Sequence, residues 1–309
     1  MKILVTGATG YAGSRIAPAL RREGHTVFGM TRDVDSPRAR ALAVSEVEPV
    51  AGDLADPSSY RDHLRDVDAV VHLTLDYGNP VSSDQGLFAE LRAAHGRDGR
   101  HRHLVYTTGC SIYGKVEAPL LDENTPGNPE GSLFFRMRLE QELAASGLPH
   151  TVLRPGFMYG GDARTSMLGR WFAEAHAGRT AFYGNRDKSW SWIHIDDLAA
   201  AYVTVLARAG RSNLPREERV DGEIFCLGEE GPPTSLEIFT ACLRTAGNTG
   251  PVSFEPIAAG GWLDQAADQD EVMNCAKARR QLGWSPRHGG VLPELATYHR
   301  AWRAASTAA

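Results

Sequence analysis

Thr6-Gly7-Ala8-Thr9-Gly10-Tyr11-Ala12-Gly13 follows directly on the apolar run Ile3-Leu4-Val5 and leads into a stretch with helical spacing over 13–23. Strand, glycine turn and helix in that order give each glycine its own task. Gly7 permits the tight turn, Gly10 lets the backbone approach a bound group, and Gly13 lets the helix lie against the strand. The N–H groups at the start of such a helix favour negative charge. The predicted occupant is the diphosphate of a dinucleotide, held by Gly7, Thr9, Gly10, Tyr11, Ala12 and Gly13.

Beyond this turn, β-branched runs at 26–30, 48–51, 69–73, 103–108 and 150–153 alternate with amphipathic stretches such as 133–146. Strands alternating with helices imply a parallel sheet covered on both faces. The expected fold is α/β: a doubly wound parallel sheet, the NAD(P)-binding Rossmann arrangement, with a smaller mixed α/β substrate domain. Residues 1–155 read as the dinucleotide-binding domain, with 189–205 and 223–228 returning to it. Residues 156–309 read mainly as the substrate-binding domain, its pattern loosened by Gly, Arg and aromatic residues.

Bulk properties narrow the function. With 309 residues, 42% hydrophobic and 23% charged, the chain is long enough to bury a full core. A formal net charge of -5 argues against nucleic acid or an anionic membrane as partner. The cluster Arg97, Arg100, His101, Arg102, His103 is short and interrupted, and reads as a solvated loop. No apolar run approaches the roughly 18–20 residues that span a bilayer. Met1-Lys2-Ile3-Leu4-Val5 is cut short by Gly7 and reads as a strand, not a signal peptide. Four cysteines without a CxxC spacing fit a reducing compartment, so a cytoplasmic location is expected.

The second strand ends Val27-Phe28-Gly29-Met30-Thr31-Arg32. An NAD site usually places an acid there for the ribose hydroxyls, whereas Arg32 can pair with a 2′-phosphate. NADP is the expected cofactor, with NAD the alternative because Asp33 is adjacent.

Six further segments, in order, resemble the extended short-chain dehydrogenase/reductases, the NAD-dependent epimerase/dehydratase group. They are Gly52-Asp53-Leu54; Asp68 to Thr74; Val105-Tyr106-Thr107-Thr108 with Tyr113-Gly114; Leu153-Arg154-Pro155-Gly156-Phe157-Met158-Tyr159-Gly160; Trp192 to Ala199; and Ala276-Lys277-Ala278-Arg279 with Leu282-Gly283-Trp284-Ser285-Pro286. The resemblance implies an adenine-contacting role for Asp53 and Leu54. It puts Leu73, Thr74 and Thr107 under the cofactor, and Pro155, Gly156, Phe157 and Met158 against the nicotinamide. It also implies a small-molecule substrate and a homodimer.

Family chemistry rests on a Tyr-x-x-x-Lys pair and a Ser or Thr after the fifth strand. Counted along this chain, those positions fall on Phe134, Arg138 and Gly109. A slip in register does not restore the pair, because no tyrosine lies between Gly114 and Met158 and no lysine between Val116 and Asp187. Arg138 can hold a ribose but cannot tune a phenol. Ser111 and Tyr113, on the loop after the fifth strand, are the candidate proton donors. Cys110, Phe134, Trp192 and His194 are candidate substrate contacts, with Trp190 and Trp192 flanking the expected cleft.

No metal is expected: His101 and His103, and the stretch Asp264, Asp268, Asp270, Glu271, lack ligand geometry and read as solvated surface. Three functions remain open. They are an atypical oxidoreductase, a non-redox isomerase, cyclase or lyase, and an inactive nucleotide sensor.

Overall fold

The computed structural model describes residues 1–163 and 165–307. Strands follow one another as β1 (Lys2–Thr6), β2 (Thr26–Thr31), β3 (Glu48–Ala51), β4 (Ala69–His72), β5 (His103–Thr107), β6 (His150–Pro155), β7 (Phe157–Tyr159), β8 (Ala181–Tyr183), β9 (Trp192–His194), β10 (Glu223–Leu227) and β11 (Ser253–Glu255). The helices are α1 (Gly13–Arg22), α2 (Pro37–Val44), α3 (Pro57–Tyr60), α4 (Pro80–Asp98), α5 (Phe134–Ala145), α6 (Met167–His176), α7 (Ile195–Arg208), α8 (Ser235–Thr245), α9 (Trp262–Ala266) and α10 (Leu295–Thr307).

Seven strands form one parallel sheet in the order β10-β6-β5-β4-β1-β2-β3. Ile3 of β1 faces Val27 of β2 on one side and Ala69 of β4 on the other. The chain winds outward in both directions from β1, so a crevice opens at the carboxyl ends of β1 and β4. This is the doubly wound sheet that the alternating pattern predicts.

Period-two alternation inside the apolar runs feeds two cores. Ile3 and Val5 meet Ile16 and Leu20 of α1 and Tyr202 and Val205 of α7. Leu4 turns the other way, toward Leu87 and Leu91 of α4 and Leu139 and Leu143 of α5. The basic cluster before β5 is not a solvated loop throughout: Arg102 is buried, its Nη2 donating to Asp98 at 2.5 Å, and His103 is buried against Thr151.

At the edge of the sheet β10 pairs with β6, from Glu223 opposite Thr151 to Leu227 opposite Pro155. Beyond the carboxyl edge, β7 pairs with β9 and β8 with β11. There α6, α8 and α10 pack around Trp171, Phe172, Trp190, Trp192 and Phe239. Trp192 is fully buried in this aromatic cluster, its ring 5.9 Å from that of Trp171. The expectation that Trp192 meets substrate is therefore corrected. All four cysteines are free and buried, and no helix among the described residues is long and apolar enough to cross a membrane.

Candidate active site

The glycine turn is shaped so that Gly7 and Gly13 exclude a side chain. Gly7 sits at φ +67°, and a Cβ there would lie 2.8 Å from Thr74 Oγ1. A Cβ on Gly13 would lie 2.2 Å from the Gly7 carbonyl oxygen and 2.6 Å from Ala8 Cα. Gly10 N–H donates to that same Gly7 oxygen at 2.9 Å, which closes the turn. At its start α1 has neither a side-chain cap nor an acid in its first turn, so its positive end stays available to an anion.

This turn forms one wall of a cleft of about 480 Å³ at the carboxyl edge of the sheet. Gly7, Gly10, Tyr11, Ala12 and Gly13 line it there, and Leu73, Thr74 and Thr107 line its base. Pro155, Gly156, Phe157 and Met158 form the opposite wall, beside Cys110 and Ser111. Tyr11 is fixed by donating to the Gly160 carbonyl at 2.6 Å.

Other anticipated residues lie elsewhere. Thr9 lines a smaller cavity of about 240 Å³ that adjoins the cleft at Gly10 and Tyr11 and is shared with Arg38 of α2. Arg32 is exposed at the end of β2, and its charge helps hold the Asp76 carboxyl below its usual range, after hydrogen bonds from Ser83 and Gly78. Asp53 turns back on its own loop, accepting from Ala55 N at 3.1 Å, and Leu54 is buried in the core.

Tyr113, Arg138 and Phe134, like Trp192, need correction. Tyr113 is fully buried, donates to the Asp122 carbonyl at 2.8 Å, and accepts from Arg154 Nη1 at 2.8 Å. It does not line the cleft, and burial drives its phenol far above the ordinary range, so it holds its proton too tightly to act as an acid. Arg138 is exposed on the outer face of α5, with its guanidinium 5.3 Å from the Phe134 ring. Phe134 packs under Gly127 and beside Met137, away from the lining.

Arg136 occupies the cleft instead. Two residues along a helix rotate a side chain by about 200°, so a two-residue error in register exchanges the inner face for the outer one. The position four residues before Arg136, where the family pattern puts tyrosine, is the exposed Ser132. Arg136 is 5% exposed; its Nη2 donates to the Thr107 carbonyl, and its Nε and Nη1 have no hydrogen-bond partner among the described residues. Below it runs a buried chain in which His72 bridges Thr6 (2.8 Å) and Asp84 (3.0 Å), and Tyr106 donates to Asp84 at 2.5 Å. Burial opposes ionisation of Asp84, but His72 and Arg136 together hold its carboxyl below the usual range.

His194 also lies outside the cleft. Its Nδ1 accepts from Asp196 N at 3.2 Å, capping α7, while its ring stacks on His288 at 3.5 Å. Burial and the neighbouring His288 push it down to about 4. His194, Asp196 and His288 bring ligand atoms within 4.8 Å of one another. The two rings are only 15° from parallel, so their in-plane lone pairs run side by side and do not converge on one ion.

The acidic stretch is not solvated throughout either. Asp264 is buried and paired with Arg170 at 2.7 Å, and Glu271 is completely buried. Glu271 Oε2 accepts from Ser111 Oγ at 2.8 Å and Cys110 Sγ at 3.2 Å, and Oε1 accepts from Gln269 at 2.7 Å. Burial pushes Glu271 up to about 7 against those hydrogen bonds. The sequence signal for it was slight: Glu271 precedes the apolar pair Val272-Met273, and both Glu271 and Met273 form β-bridges, to Trp190 and Leu121.

A model of the NAD dependent epimerase/dehydratase family matches residues 3–217. Among relatives, UDP-glucose 4-epimerase of Lactobacillus helveticus is 26% identical over 347 residues, covering 98% of this chain and 96% of that protein. The 3-diazoavenalumate denitrifying reductase of a Streptomyces species is 26% identical over 312 residues, covering 93% and 97%. In fold, dTDP-glucose 4,6-dehydratase from Bacillus anthracis, solved in complex with NAD, matches with a TM-score of 0.80 at 18% identity, covering 98% of this chain and 97% of that one. With its glycine turn, its parallel sheet and a matched segment spanning most of its length, the chain belongs to the NAD dependent epimerase/dehydratase family.

Proposed function

We propose that the protein is an NADP(H)-dependent oxidoreductase acting on a small organic molecule, with Ser111 in place of the missing tyrosine. The observation that carries this reading is Arg136, a buried cation facing the cleft with two N–H donors unmatched by protein. Such donors are costly to leave unpaired, and a cofactor ribose or amide offers the acceptors they need. The glycine turn, closed so tightly that Gly7 and Gly13 admit no Cβ and opening onto an uncapped helix start, fits a diphosphate at the other end. Solved relatives of the same fold hold NAD.

Gly7, Gly10, Gly13 and the start of α1 would hold the diphosphate, and Arg136 the nicotinamide half, with Arg32 and Arg38 at the 2′-phosphate. Bound there, the nicotinamide supplies or accepts a hydride. Of the two lining hydroxyls in the stretch after β5, Thr108 donates to Glu140 at 2.6 Å, and Ser111 is the one assigned to exchange a proton with the substrate atom whose charge changes. The relative named as a reductase supports redox chemistry. Relatives named as epimerases support a second reading, in which hydride is taken and returned within one cycle.

Calorimetry with NADP(H) and NAD(H) tests the cofactor assignment. Binding of NADP(H) that weakens roughly 10- to 100-fold in the Arg32→Ala, Arg38→Ala double variant, with NAD(H) unchanged, is expected for lost charge-assisted bonds. Absence of binding by either cofactor overturns the reading. Net change in nicotinamide absorbance during turnover separates the oxidoreductase from the epimerase-like alternative.

A further inference from the structure

We propose that Glu271 is the proton reservoir of the site, acting on substrate through Ser111. This rests on the oxidoreductase reading, in which Ser111 meets substrate. Glu271 arrives from a segment 160 residues later in the chain and has no exposed surface, yet its Oε2 sits 2.8 Å from a cleft-lining hydroxyl.

The reason to pair them is chemical. A serine hydroxyl alone is too weak an acid to protonate a developing alkoxide or amine at neutral pH, and a group matched to the medium is needed behind it. The carboxyl of Glu271, which burial holds near neutrality, supplies that match. Charged and titratable groups face it from each packed element. Cys110 comes from the loop after β5, its thiol pushed up by burial and by Glu271 itself. Lys188 comes from the segment before β9, where it is held by the Tyr183 carbonyl at 2.7 Å and Asp268 at 3.1 Å. Gln269 lies on Glu271's own segment and donates to Oε1 in either state.

Two protons shift in the step, for a net delivery of one to the substrate. The Glu271 O–H bond breaks as a new Ser111 Oγ–H bond forms, and the proton that Ser111 held passes to the substrate oxygen or nitrogen. Glu271 is left as carboxylate, Ser111 is unchanged in charge, and no electrons are exchanged between the two. Since Glu271 is sealed from solvent, its proton returns by the same hydroxyl from water in the open cleft after product leaves.

Infrared difference titration of the cofactor-free protein tests the acid directly. Protonated-carboxyl absorption should titrate near pH 7 from two carboxyls, Glu271 and Glu229, both raised to about 7 by burial; part should vanish in Glu271→Gln and the remainder in Glu229→Gln. In turnover, Glu271→Gln should leave cofactor affinity unchanged, lower kcat by roughly 10- to 100-fold, and abolish the neutral limb of the pH–rate profile, with partial recovery in Glu271→Asp. A wild-type pH–rate profile in Glu271→Gln, or no loss of the infrared band, overturns the proposal. Should Glu271→Gln fail to fold, Glu271→Asp decides, because a shorter acid must shift the profile if it is the proton source. Loss of cofactor binding in the wild-type protein would instead defeat the oxidoreductase reading, with the infrared result left intact.

Discussion

Arg136 donates through Nη2 to the carbonyl of Thr107, the last residue of β5, and so α5 is pinned to the sheet beside the cleft. That bond fixes the guanidinium, whose buried Nε and Nη1 have no hydrogen-bond partner among the described residues. Arg136→Ala is expected to weaken NADP(H) binding by roughly 10- to 100-fold, the loss of one or two charge-assisted bonds. Arg138→Ala, on the exposed face, should leave the affinity unchanged. Equal effects of the two in calorimetry would contradict the register described for α5.

Ser111 and Tyr113 lie two residues apart and differ in fate. Ser111→Ala should lower kcat by roughly 10²- to 10⁴-fold, the range for a lost proton donor. Tyr113→Phe should retain turnover and lose about 1 kcal/mol of stability through its broken bonds to Asp122 and Arg154. A turnover assay in which the phenylalanine variant is the inactive one would reverse the assignment.

At Gly13 the added methyl group of Gly13→Ala meets backbone at 2.2 Å, and neither atom sits on a flexible side chain. Overpacking of this kind costs about 1–3 kcal/mol, and it separates α1 from the turn. Urea unfolding should show that loss, together with a fall in cofactor affinity. A stable variant with normal binding would mean the close approach is dispensable.

Glu229 provides a pH dependence whose sign is fixed. Burial raises it to about 7 from 4.5, while Tyr159 donates to its Oε1. The native state thus binds the more protons between those values. Its contribution to stability is fully present below about pH 4.5 and is lost as pH rises through 7, on the order of 3 kcal/mol in all. His194, lowered to about 4, slopes the opposite way below 6.5, so the test is a difference between variants. Glu229→Gln should gain on wild type steadily as pH rises across that window. A constant gap in urea midpoints would rule the shift out.

The frame of the molecule was readable because its signals are local. The strand at 2–6, the glycines at 7, 10 and 13, and the helix after them each follow from neighbours within one or two turns of chain. The catalytic side failed where the determinant was remote. Between Gly114 and Phe134 no hydrophobic period marks where α5 begins, and a slip of two residues put Arg138 in the place of Arg136. Tyr113 looked available until the Asp122 carbonyl and Arg154 enclosed it. Glu271 looked like surface because the hydroxyl and thiol that justify its burial lie on a different element, and only the folded sheet brings Ser111 and Cys110 to it.

The placement of β10 bears on how the protein is made. Every residue of β6 is buried, and among the described residues its outer edge is paired by residues 222–227. During synthesis that edge stays bare while some seventy further residues leave the ribosome, a long-range closure of the slow kind. A nascent or clipped chain ending before Gly222 carries an unpaired strand edge, the kind that recruits other chains. Completion of the sheet, and release from that aggregation hazard, thus waits on most of the polypeptide.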